Sequence, residues 1–488
     1  MTVEEMISGL PAGLWDSALQ AAQMIARTRD VTVASHIDAD GISAAAIASV
    51  ALERAGIRVK VEFFKKLDDE AISKLAGLGA DLTWYTDLGS GLASRLRGTP
   101  VVISDHHVPD ETCQRSRTGG QSILTDFSSM AHVNPTLHGI SGATELSGAG
   151  ATFLVAIALN RRNADLSSLA IVGSVGDMQD HKERRLVGLN RLVLSVAVES
   201  GVVEASEDIR YFGRETRPIH KMLEYSSDPF IPGISGREQE AISFLLQHGL
   251  ELKEGDSWRS WAMLSQDEKN LVIDGIRDHL ENAGRKPGTI ARLTGEAYTL
   301  TKESPGSPLR DGKEFATTLN ACGRHDRAEV GMRICSGDRG QALSEGMALL
   351  RDHRSAISQA LEDARNRGVT RLDHIQYFDS GDEIQDTIVG TIAGMLLNAN
   401  GSDRSAPMIA FADSPECSDV VSVKVSSRGT QDLISMGLDL SVAMRTAAAK
   451  VGGMGGGHNI AAGATIPADK KEEFLRVLDE IVGSQILT

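Results

Sequence analysis

The chain has 488 residues, a formal net charge of −16, 41% hydrophobic residues and 24% charged residues. This length exceeds what one hydrophobic core accommodates, so we expect two or three domains. The acidic balance argues against a protein that covers nucleic acid with its whole surface, because binding to a polyanion depends on neutralising phosphates. Any contact with nucleic acid must therefore be local.

The N-terminal sequence, the apolar stretches and the cysteines indicate the cellular compartment. The N-terminal sequence MTVEEMISGL carries acidic charge where a signal peptide carries basic charge. The longest apolar stretches fall short of the roughly 20 residues that a membrane span requires, so we expect a cytoplasmic protein. The absence of a CxxC pair argues against a zinc knuckle or a disulfide framework and favours buried thiols for Cys113, Cys322, Cys335 and Cys417.

Alternation of strands and helices dominates the first part of the chain. From Val31 to about Asp180, short β-branched runs alternate with alanine-rich helical stretches, which is typical of a parallel sheet covered by helices. The sequence ISAAAIASVALERAG predicts the helix after the first strand, and VKVEFF predicts the next strand. The stretch LSSLAIVGSVGDM predicts a buried helix that ends near Asp177. These patterns indicate an α/β fold.

The pattern changes after Arg184. Residues 214–236 have the proline, glycine and serine content of a connector or a binding loop. Short helical patterns such as EQEAISFLL and DEKNLVIDGIRDHL predict a helical insertion at residues 238–319. One longer helix is predicted from Gly340 to Arg367, between two lobes. From about Leu372 strands and helices alternate again, which predicts a second, smaller α/β domain.

These boundaries predict four parts. They are a parallel-sheet α/β domain at residues 1–200, a connector with the helical insertion at residues 201–339, a long linking helix at residues 340–371, and a smaller α/β domain at residues 372–488.

Metal-binding residue types follow three of the predicted strands. SHIDADG contributes His36, Asp38 and Asp40, LTWYTDLGSG contributes Asp87, and PVVISDHHVP contributes Asp105, His106 and His107. The carboxyl ends of successive strands are where an open α/β sheet builds its active site. A spacing of two residues places the three side chains of SHIDADG on the same side of an extended backbone.

Each of these residues has an ordinary structural alternative. A lone aspartate at a strand end is usually a cap, and a lone histidine is usually a satisfied polar residue. Together, however, they supply the oxygen and nitrogen donors that suit Mn²⁺ or Mg²⁺. Asp177, in GSVGDMQD, would close the site from a helix end.

The order of the motifs resembles one superfamily. HxDxDG, DLGSG, SDHH and GxxGDxxD resemble the four motifs of the DHH phosphoesterase superfamily, and the C-terminal GGGH resembles the signature of its DHH-associated (DHHA1) domain. Asn134 and Pro135, followed by LSGAGATFLVAIAL from Leu146, are similar to the matching stretch of RecJ-type exonucleases within that superfamily. SHIDADG, GRETRP and the helical insertion most resemble archaeal RecJ-like nucleases. These are relatives of a eukaryotic replicative-helicase cofactor that has largely lost its metal ligands.

The resemblance implies two metal ions. One would be held by His36, Asp38 and Asp87, and the other by Asp40, Asp87, His106 and Asp177. Bacterial RecJ proteins often carry a different residue at the position of His36. Two ions roughly 3.5–4 Å apart acidify a shared water and clamp a phosphate oxygen.

Two further residues receive roles from the same resemblance. His107 would face the scissile phosphate, and Asp105 would be an outer partner that orients a metal-ligating imidazole.

The C-terminal glycines predict a phosphate seat. The motif VGGMGGGH allows backbone N–H groups to converge on an anion, and His458 adds a donor at its lip. The alternatives are a flexible connector and a close helix-packing site. By the resemblance, Arg428 would grip the nucleotide backbone opposite the metals, across an interdomain cleft. The substrate-binding candidates are Arg428, Ser426, Gly456, Gly457 and His458, with Lys424 and Asn459 in the same groove and Arg214 and Arg217 as weaker candidates.

The leading hypothesis is a Mn²⁺- or Mg²⁺-dependent exonuclease that acts on single-stranded DNA or RNA in replication or repair. The RecJ resemblance favours 5′ to 3′ cleavage, but these residues leave polarity and the choice of DNA or RNA open. One alternative is a phosphoesterase of short oligonucleotides, cyclic dinucleotides or 3′-phosphorylated nucleotides, against which the insertion argues. Another is a structural subunit of a replicative helicase, against which the six retained ligands argue. The archaeal resemblance implies GINS or another replication or repair factor as a partner.

Overall fold

The computed structural model describes residues 2–96, 100–110, 129–398, 402–413 and 422–486. Contacts divide the chain into two compact units, residues 1–350 and 351–488, which we call the first and second units. The finer division into four parts stays a prediction. Cys322 and Cys335 are free thiols, whereas Cys113 and Cys417 lie outside the described residues. Within the described ranges, no helix combines the length and apolar character needed to cross a membrane.

A parallel sheet forms the centre of the first unit. Five strands lie in the order β2-β1-β3-β4-β5, and all four pairings are parallel. The strands are β1 (Asp30–His36), β2 (Arg58–Phe64), β3 (Leu82–Thr86), β4 (Val101–Ser104) and β5 (Met130–Val133). The chain leaves β1 to one side for β2 and returns to its other side for β3. The carboxyl ends of β1 and β3 therefore flank a topological switch point, where such sheets bind ligands.

Helices cover this sheet. They are α1 (Val3–Gly9), α2 (Ala12–Ile25), α3 (Ala39–Arg54), α4 (Asp69–Ala76), α5 (Gly148–Leu159), α6 (Ser167–Gly176) and α7 (Gly188–Glu199). The alanine and glycine content of α3, α5 and α6 allows these three helices to pack closely, and nearly all of their residues are buried. The α/β fold class predicted from the sequence is confirmed.

The insertion has a hydrophobic core of its own, built from residues between Ile209 and Leu293 that include Leu245, Trp261 and Ile276. It contains α8 (Ile219–Glu224), α9 (Glu238–Gln247), β7 (Lys253–Glu254), β8 (Ser257–Trp258), α10 (Gln266–Asn282) and α11 (Pro287–Ile290). The antiparallel strands β6 (Val203–Ile209) and β9 (Thr294–Leu300) flank it. We refer to residues 209–293 as the insertion, which thus begins earlier than the helical pattern predicts.

The chain returns to the first core after β9. Phe315, Leu319 and Ile334, on α12 (Gly312–Arg324) and α13 (Ala328–Cys335), pack among the residues of the parallel-sheet core. The sequence pattern places residues up to Leu319 in the insertion, because helical periodicity shows which face is buried but not against what. The long helix α14 (Gln341–Arg367) confirms the helix predicted there.

The second unit contains a six-stranded sheet in the order β10-β11-β12-β13-β15-β14. Its elements are β10 (Thr370–Arg371), β11 (Gln376–Asp379), α15 (Val389–Leu397), β12 (Met408–Asp413), β13 (Ser422–Arg428), α16 (Gln431–Ser435), α17 (Leu440–Lys450), β14 (Met454–Gly457), β15 (Ala461–Pro467) and α18 (Lys471–Ile486). Val423 and Val425 pack with α17 and α18, whereas Met408 and Ala410 pack with α15. Both faces of the sheet therefore carry helices.

Candidate metal centre and nucleic-acid-binding face

The first ligand candidates lie where β1 ends and α3 begins. His36 is the last residue of β1, and Asp38 is the N-cap residue of α3, where its carboxylate accepts a hydrogen bond of 3.0 Å from the N–H of Gly41. A Cβ at Gly41 would come 2.3 Å from the carbonyl oxygen of His36. Only glycine therefore allows the helix to start so close to the strand.

Asp40 lies in the first turn of α3, so the prediction of one extended backbone through His36, Asp38 and Asp40 is wrong. The cap at Asp38 ends the extended conformation, and the helical turn directs Asp40 into the protein. Its buried carboxylate accepts hydrogen bonds from the N–H groups of Gly148 (2.7 Å) and Ala149 (3.0 Å) at the start of α5. Asp38 and Asp40 consequently join different groups of side chains.

Asp87 follows β3 and stands between these two groups. Its carboxylate is 1% exposed, with Oδ2 3.7 Å from Nδ1 of His36 and Oδ1 3.2 Å from Nε2 of His106. The backbone of Asp87 has a φ of 58°, in the left-handed region that residues other than glycine rarely adopt. Strained backbone of this kind is concentrated at functional sites. Its position suits a carboxylate that two metal ions share.

His106 is oriented by the backbone. Its Nδ1 is 2.6 Å from the carbonyl oxygen of Gly142, which can only accept a hydrogen bond, so Nδ1 carries the proton in the neutral ring. The lone pair of Nε2 then points toward Asp87, at 3.2 Å, and Asp40, at 3.8 Å. This is the arrangement of a metal-ligating imidazole held by a backbone partner.

Asp177 brings the last carboxylate from the end of α6, where it is the C-cap residue. Its Oδ2 lies 3.8 Å from Nδ1 of His106 and accepts a hydrogen bond of 2.9 Å from Nε2 of Gln179. Gln179 also donates to the carbonyl oxygen of Gly142 at 2.8 Å. One buried amide thus ties the helix end to the loop that orients His106. Sequence analysis misses Gln179, although its place in GDMQD, two residues after Asp177, is a signal.

Asp105 is occupied by hydrogen bonds from the chain itself. Its Oδ1 accepts from the N–H of His106 (2.7 Å), from the N–H of His107 (3.2 Å) and from Nδ1 of His107 (2.8 Å), and its Oδ2 accepts from the N–H of Ser90 (2.9 Å). Burial opposes the charge, but these donors hold the pKa of Asp105 well below its usual range. Asp105 is therefore a charged positioning residue. The ring that it orients belongs to His107, so the prediction that it orients a metal-ligating imidazole is wrong, because the backbone of Gly142 holds the ring of His106 instead.

His107 points outward from the same loop. Its side chain is 57% exposed, and the hydrogen bond to Asp105 raises the pKa of His107 to about 9, although burial opposes this shift. The ring is consequently a cation at neutral pH, with Nε2 directed away from Asp105. It has the charge needed to donate to a phosphate oxygen.

Two asparagines support the site from a distance in sequence. Nδ2 of Asn134 donates to Oγ of Ser90 and to the carbonyl oxygen of His107, both at 2.8 Å. Oδ1 of Asn320, on α12, accepts from the N–H of Ala39 at 2.9 Å. Asn134 is indicated in the sequence only by the resemblance. Asn320 carries no signal, because its partner is 281 positions away.

The ligand atoms fall into compact groups within which all atoms lie no more than 4.8 Å apart. These groups are His36, Asp38 and Asp87; Asp40, His106 and Asp177; and Asp87, Asp105, His106 and His107. The third group is the weakest metal candidate, because both oxygens of Asp105 already accept hydrogen bonds. The first two groups contain all six ligands predicted from the resemblance.

The polar atoms that face each other in this cluster fit bound cations. Nδ1 of His36 and Oδ1 of Asp87 are buried and lie 3.0 Å from Oδ2 of Asp38 and 3.2 Å from Nε2 of His106, but among the described residues neither contact has the geometry of a hydrogen bond. Burial raises the pKa of Asp177 to about 6, and burial together with the charge of Asp87 raises the pKa of Asp40. Divalent cations would offset both the burial and the mutual repulsion of these carboxylates. The donor set therefore fits Mn²⁺ or Mg²⁺.

In the second unit, Lys424, Ser426 and Arg428 alternate along β13 on the face opposite Val423 and Val425. The guanidinium of Arg428 lies against α15, since a Cβ at Gly390 would come 2.6 Å from its Nη2. Ser426 is opposite Gly463 of β15, which is opposite Gly456 of β14. The small residues Ser426, Gly463 and Gly456 therefore form a row across three strands. This row lies beside Lys424 and Arg428.

The predicted convergence of N–H groups at the glycine motif is wrong. Met454–Gly457 form the edge strand β14, paired antiparallel with β15, and His458 lies in the turn, where its N–H donates to the carbonyl oxygen of Ala461 at 2.8 Å. Successive N–H groups of a strand point in opposite directions, so they cannot surround one anion. Gly455 is instead required by close approach to α17, where a Cβ would come 2.6 Å from the carbonyl oxygen of Met444.

Arg214 is an internal residue. Its guanidinium forms ion pairs with Asp208 (2.8 Å) and Asp311 (2.6 Å), and the whole side chain is buried. Its assignment to a nucleic-acid groove is therefore wrong. Arg217 stacks on the rings of Phe212 and Tyr225, each 4.9 Å away.

Two domain families match the chain. Residues 211–294 match the DHH-CID domain, and residues 373–484 match the DHHA1 domain. The first match coincides with the insertion, and the second covers nearly all of the six-stranded sheet and its helices.

Relatives in sequence cover different shares of the chain. An uncharacterized protein of Methanocaldococcus jannaschii is 29% identical over 461 residues, which are 93% of this chain and 94% of that protein. The single-stranded-DNA-specific exonuclease RecJ of Dickeya dadantii is 26% identical over 219 residues, which are 38% of this chain and 35% of that protein.

Solved structures share the fold at low identity. RecJ from Thermus thermophilus in complex with Mn²⁺ has a TM-score of 0.57 at 17% identity, covering 98% of this chain and 55% of that one. CDC45 from Entamoeba histolytica has a TM-score of 0.60 at 10% identity, covering 96% of this chain and 97% of that one. This chain thus spans about half the length of the Thermus RecJ. The chain therefore carries regions similar to the DHH-CID and DHHA1 domains and shares its fold with the solved RecJ and CDC45 structures.

Proposed function

We propose that the chain is a divalent-metal-dependent exonuclease that hydrolyses phosphodiester bonds of single-stranded DNA or RNA in replication or repair. The observation that carries the proposal is the position of Asp87, whose two carboxylate oxygens face His36 on one side and His106 on the other. This arrangement supports two adjacent cation sites with a shared carboxylate, which suits in-line displacement at phosphorus.

Six side chains would hold the ions in this proposal. His36, Asp38 and Asp87 hold one, and Asp40, Asp87, His106 and Asp177 hold the other. We propose Mn²⁺ as the physiological ion and Mg²⁺ as the alternative, since both occur bound to RecJ structures of the same fold. When bound, the ions lower the pKa of a water molecule and stabilise negative charge on the phosphate.

The chain's own residues position the substrate. His107 donates a charged hydrogen bond to a non-bridging oxygen of the scissile phosphate, and Asp105 keeps the ring protonated and fixed. Both act without transferring a proton. Asn134 fixes the backbone of the same loop through the carbonyl oxygen of His107. The exposure and positive charge of His107, next to the ligand candidate His106, support this role.

The second unit supplies the grip on the strand. Arg428, with Ser426 beside it, contacts the sugar-phosphate backbone. The edge strand at Gly456 and Gly457 allows close approach of the substrate, since a Cβ at Gly456 would meet nothing within 4 Å. His458, exposed in the adjoining turn, contributes a further side-chain donor. A backbone grip of this kind tolerates any sequence, as an exonuclease requires.

The test is cleavage of single-stranded DNA, single-stranded RNA and duplex, each labelled at either end, with Mn²⁺ present. A ladder of shortened products from one labelled end supports an exonuclease and fixes its polarity. The ratio of DNA to RNA cleavage decides the substrate. No cleavage of any single strand, by protein that binds two equivalents of manganese, would contradict the proposal.

A second candidate is a subunit of a replicative helicase with incidental nuclease activity. The shared fold with CDC45 is the observation that favours it. The complete ligand cluster argues against a purely structural role, because four carboxylates and two imidazoles in contact, with Asp40 and Asp87 buried, are costly without cations. Binding to GINS or another replication or repair factor is compatible with both candidates and is tested by co-purification.

A further inference from the structure

A charged cavity, separate from the candidate metal centre, lies in the first unit between the insertion and the parallel-sheet core. It encloses about 200 Å³, and its walls include Arg184, Arg210, Arg292, Lys313, Phe212 and Tyr225. We call it the basic pocket. The loop after α6 contributes Arg184, α12 contributes Lys313, and the insertion contributes the other four. Three separate segments therefore converge on one cavity.

Positive charge exceeds negative charge in the basic pocket. Asp228 also lines it and pairs with Arg292 at 2.7 Å, while Arg210 pairs with Asp180 at 2.8 Å. Arg184 and Lys313 have no carboxylate within 4.0 Å among the residues that the structure describes, and each donates to a backbone carbonyl oxygen instead. The basic pocket is thus locally positive in a chain with a net charge of −16. Partly buried cations that have no directly paired carboxylate favour binding of an anion, although Asp180 and Asp311 act on Lys313 from a greater distance.

Aromatic rings adjoin these cations. The guanidinium of Arg217 lies 4.9 Å from the ring centroids of both Phe212 and Tyr225, which fixes the two rings around one charge. Tyr225 is nevertheless 59% exposed. An exposed ring beside several cations is the combination that stacks a nucleobase and neutralises its phosphate. The cavity is open to solvent, so a phosphate can enter it while the attached base lies on the exposed ring of Tyr225.

The basic pocket lies close to the metal centre along the chain. His181 lines the pocket and follows the ligand candidate Asp177 by four residues, which span at most about 14 Å. The chain just beyond His181 is held in place, because the carbonyl oxygen of Arg184 accepts a hydrogen bond of 2.8 Å from the N–H of Glu296 on β9. A strand bound at the metal centre is therefore within reach of the pocket.

We propose that the basic pocket binds one nucleotide of the substrate strand, with Arg184, Arg292 and Lys313 contacting its phosphate and Tyr225 stacking on its base. The proposal rests on the proposed function for the identity of the substrate as a single strand. It gives the insertion a direct part in holding the substrate. The phosphate has two sources, a nucleotide within a strand or a free mononucleotide, and the chemistry of recognition is the same for both.

The test uses full-length protein without added divalent metal, so that binding is measured apart from hydrolysis. The variants are Lys313→Met, which keeps the aliphatic stem, Arg292→Gln, and Tyr225→Leu at the exposed ring. Arg277→Gln is the matched control. Arg277 and Arg292 both belong to the insertion, are 44% and 50% exposed, and pair with one aspartate each, at 2.6 and 2.7 Å. Thermal unfolding verifies that each variant is folded.

Fluorescence anisotropy with a labelled single strand should show about 10-fold weaker binding for Lys313→Met and Arg292→Gln. The slope of the logarithm of the binding constant against the logarithm of the salt concentration should become less steep by about 0.7 for each lost phosphate contact. Tyr225→Leu should weaken binding roughly 5-fold or more, through lost stacking. Arg277→Gln should match the wild type. If deoxyadenosine monophosphate competes with the labelled strand for the basic pocket, the pocket also binds free nucleotides. If it does not compete, the pocket binds only a nucleotide within a strand.

Two results would overturn the inference in distinguishable ways. If all three pocket variants bind the strand as Arg277→Gln does, the basic pocket is not a nucleotide site, and the nuclease proposal is untouched. If the wild-type protein binds no single strand, the inference and the proposed function fail together.

Discussion

The ring of His106 and the backbone of Gly142 constrain each other: Nδ1 of His106 lies 2.6 Å from the carbonyl oxygen of Gly142, and a Cβ at Gly142 would come 1.9 Å from the carbonyl oxygen of His106. The hydrogen bond orients the ligand, and the close approach makes glycine obligatory at that position. The candidate metal centre therefore depends on Gly142, which contributes no ligand atom.

We predict that Gly142→Ala weakens manganese binding by about 10- to 100-fold, the range typical for loss of an outer partner of a metal ligand. The methyl group forces the loop that carries His106 to move. Titration calorimetry with Mn²⁺ measures the change. Gly288→Ala is the control, because a Cβ there would meet nothing within 4 Å. Unchanged manganese affinity in Gly142→Ala would show that the loop adapts without moving the ring.

Asp87→Asn should abolish turnover and reduce the number of bound manganese ions, with affinity falling by more than about 100-fold. Asparagine has nearly the same shape and tolerates the φ of 58° at this position better than alanine. The metal-free variant should unfold at the same temperature as the wild type or higher, because one of several mutually repelling carboxylates is gone. Asp16→Asn, on the exposed surface, is the control. Wild-type turnover in Asp87→Asn would refute the shared-ligand assignment.

His107→Gln should lower kcat by about 10- to 100-fold and leave the manganese count unchanged. The expected size corresponds to loss of one hydrogen bond from a charged donor. The reason is that His107 is exposed and cationic, with its Nδ1 bound to Asp105, so it is available to a phosphate oxygen but not to a metal. Single-turnover cleavage with metal analysis in parallel is the measurement. Lost manganese would make His107 a ligand.

The strand ends were predictable from the sequence, and their detailed geometry was not. Apolar runs followed by His36, Asp87 and His106 place these side chains at one edge of a parallel sheet whatever the connections are. The separation of Asp38 from Asp40 required the helix to begin at a particular residue, which the cap decides. A spacing of two residues fits an extended chain and a capped helix start equally well.

The missed features depend on contacts between distant segments. Asn320 acts at the start of α3 only because α12 packs in the first core. The glycines near Gly456 have permissive backbones, so their sequence allows a turn that encloses an anion as readily as a strand. Pairing with β15 selects the strand. Residues 1, 97–99, 111–128, 399–401, 414–421 and 487–488 lie outside the described residues, and with them Cys113 and Cys417.

Glu314 provides a test of stability that is independent of metal binding. It is buried, accepts hydrogen bonds from the N–H of Glu215 and the hydroxyl group of Thr216, and has its pKa raised by burial to about 6. A carboxyl group with a raised folded-state pKa stabilises the protein when protonated, below about pH 4.5. That contribution is lost as the pH rises through 6.

Glu314→Gln should therefore raise the free energy of unfolding above pH 6 by about 2 kcal/mol relative to the wild type, and by much less near pH 4.5. Glutamine keeps both hydrogen bonds, since its oxygen accepts and its amide donates to the hydroxyl group. Denaturant unfolding over this pH range measures the difference. Glu281→Gln, at an exposed position, should show no comparable dependence on pH. If the free energy of unfolding changed with pH in the same way in both variants, the raised pKa of Glu314 would be contradicted.

Arg428→Ala separates strand binding from metal binding. The side chain lies on the face of β13 that α15 partly covers, and it neighbours Ser426 on that face. Losing one charged contact to a phosphate should weaken single-strand binding by about 10- to 100-fold and reduce the salt dependence by about 0.7, with the manganese count unchanged. The loss appears in KM if the contact is equal in ground and transition states, and in kcat if it positions the scissile bond.

Arg476→Ala is the matched control for this variant. Arg476 is 69% exposed on α18, whose residues Phe474 and Leu478 pack against the opposite face of the same sheet. Removing this cation changes the net charge of the second unit by the same amount without touching the face of Arg428. Equal losses of affinity in the two variants would mean that strand binding depends only on the net charge of the second unit. A loss confined to Arg428→Ala, measured by anisotropy across a salt series, supports a specific backbone contact on that face.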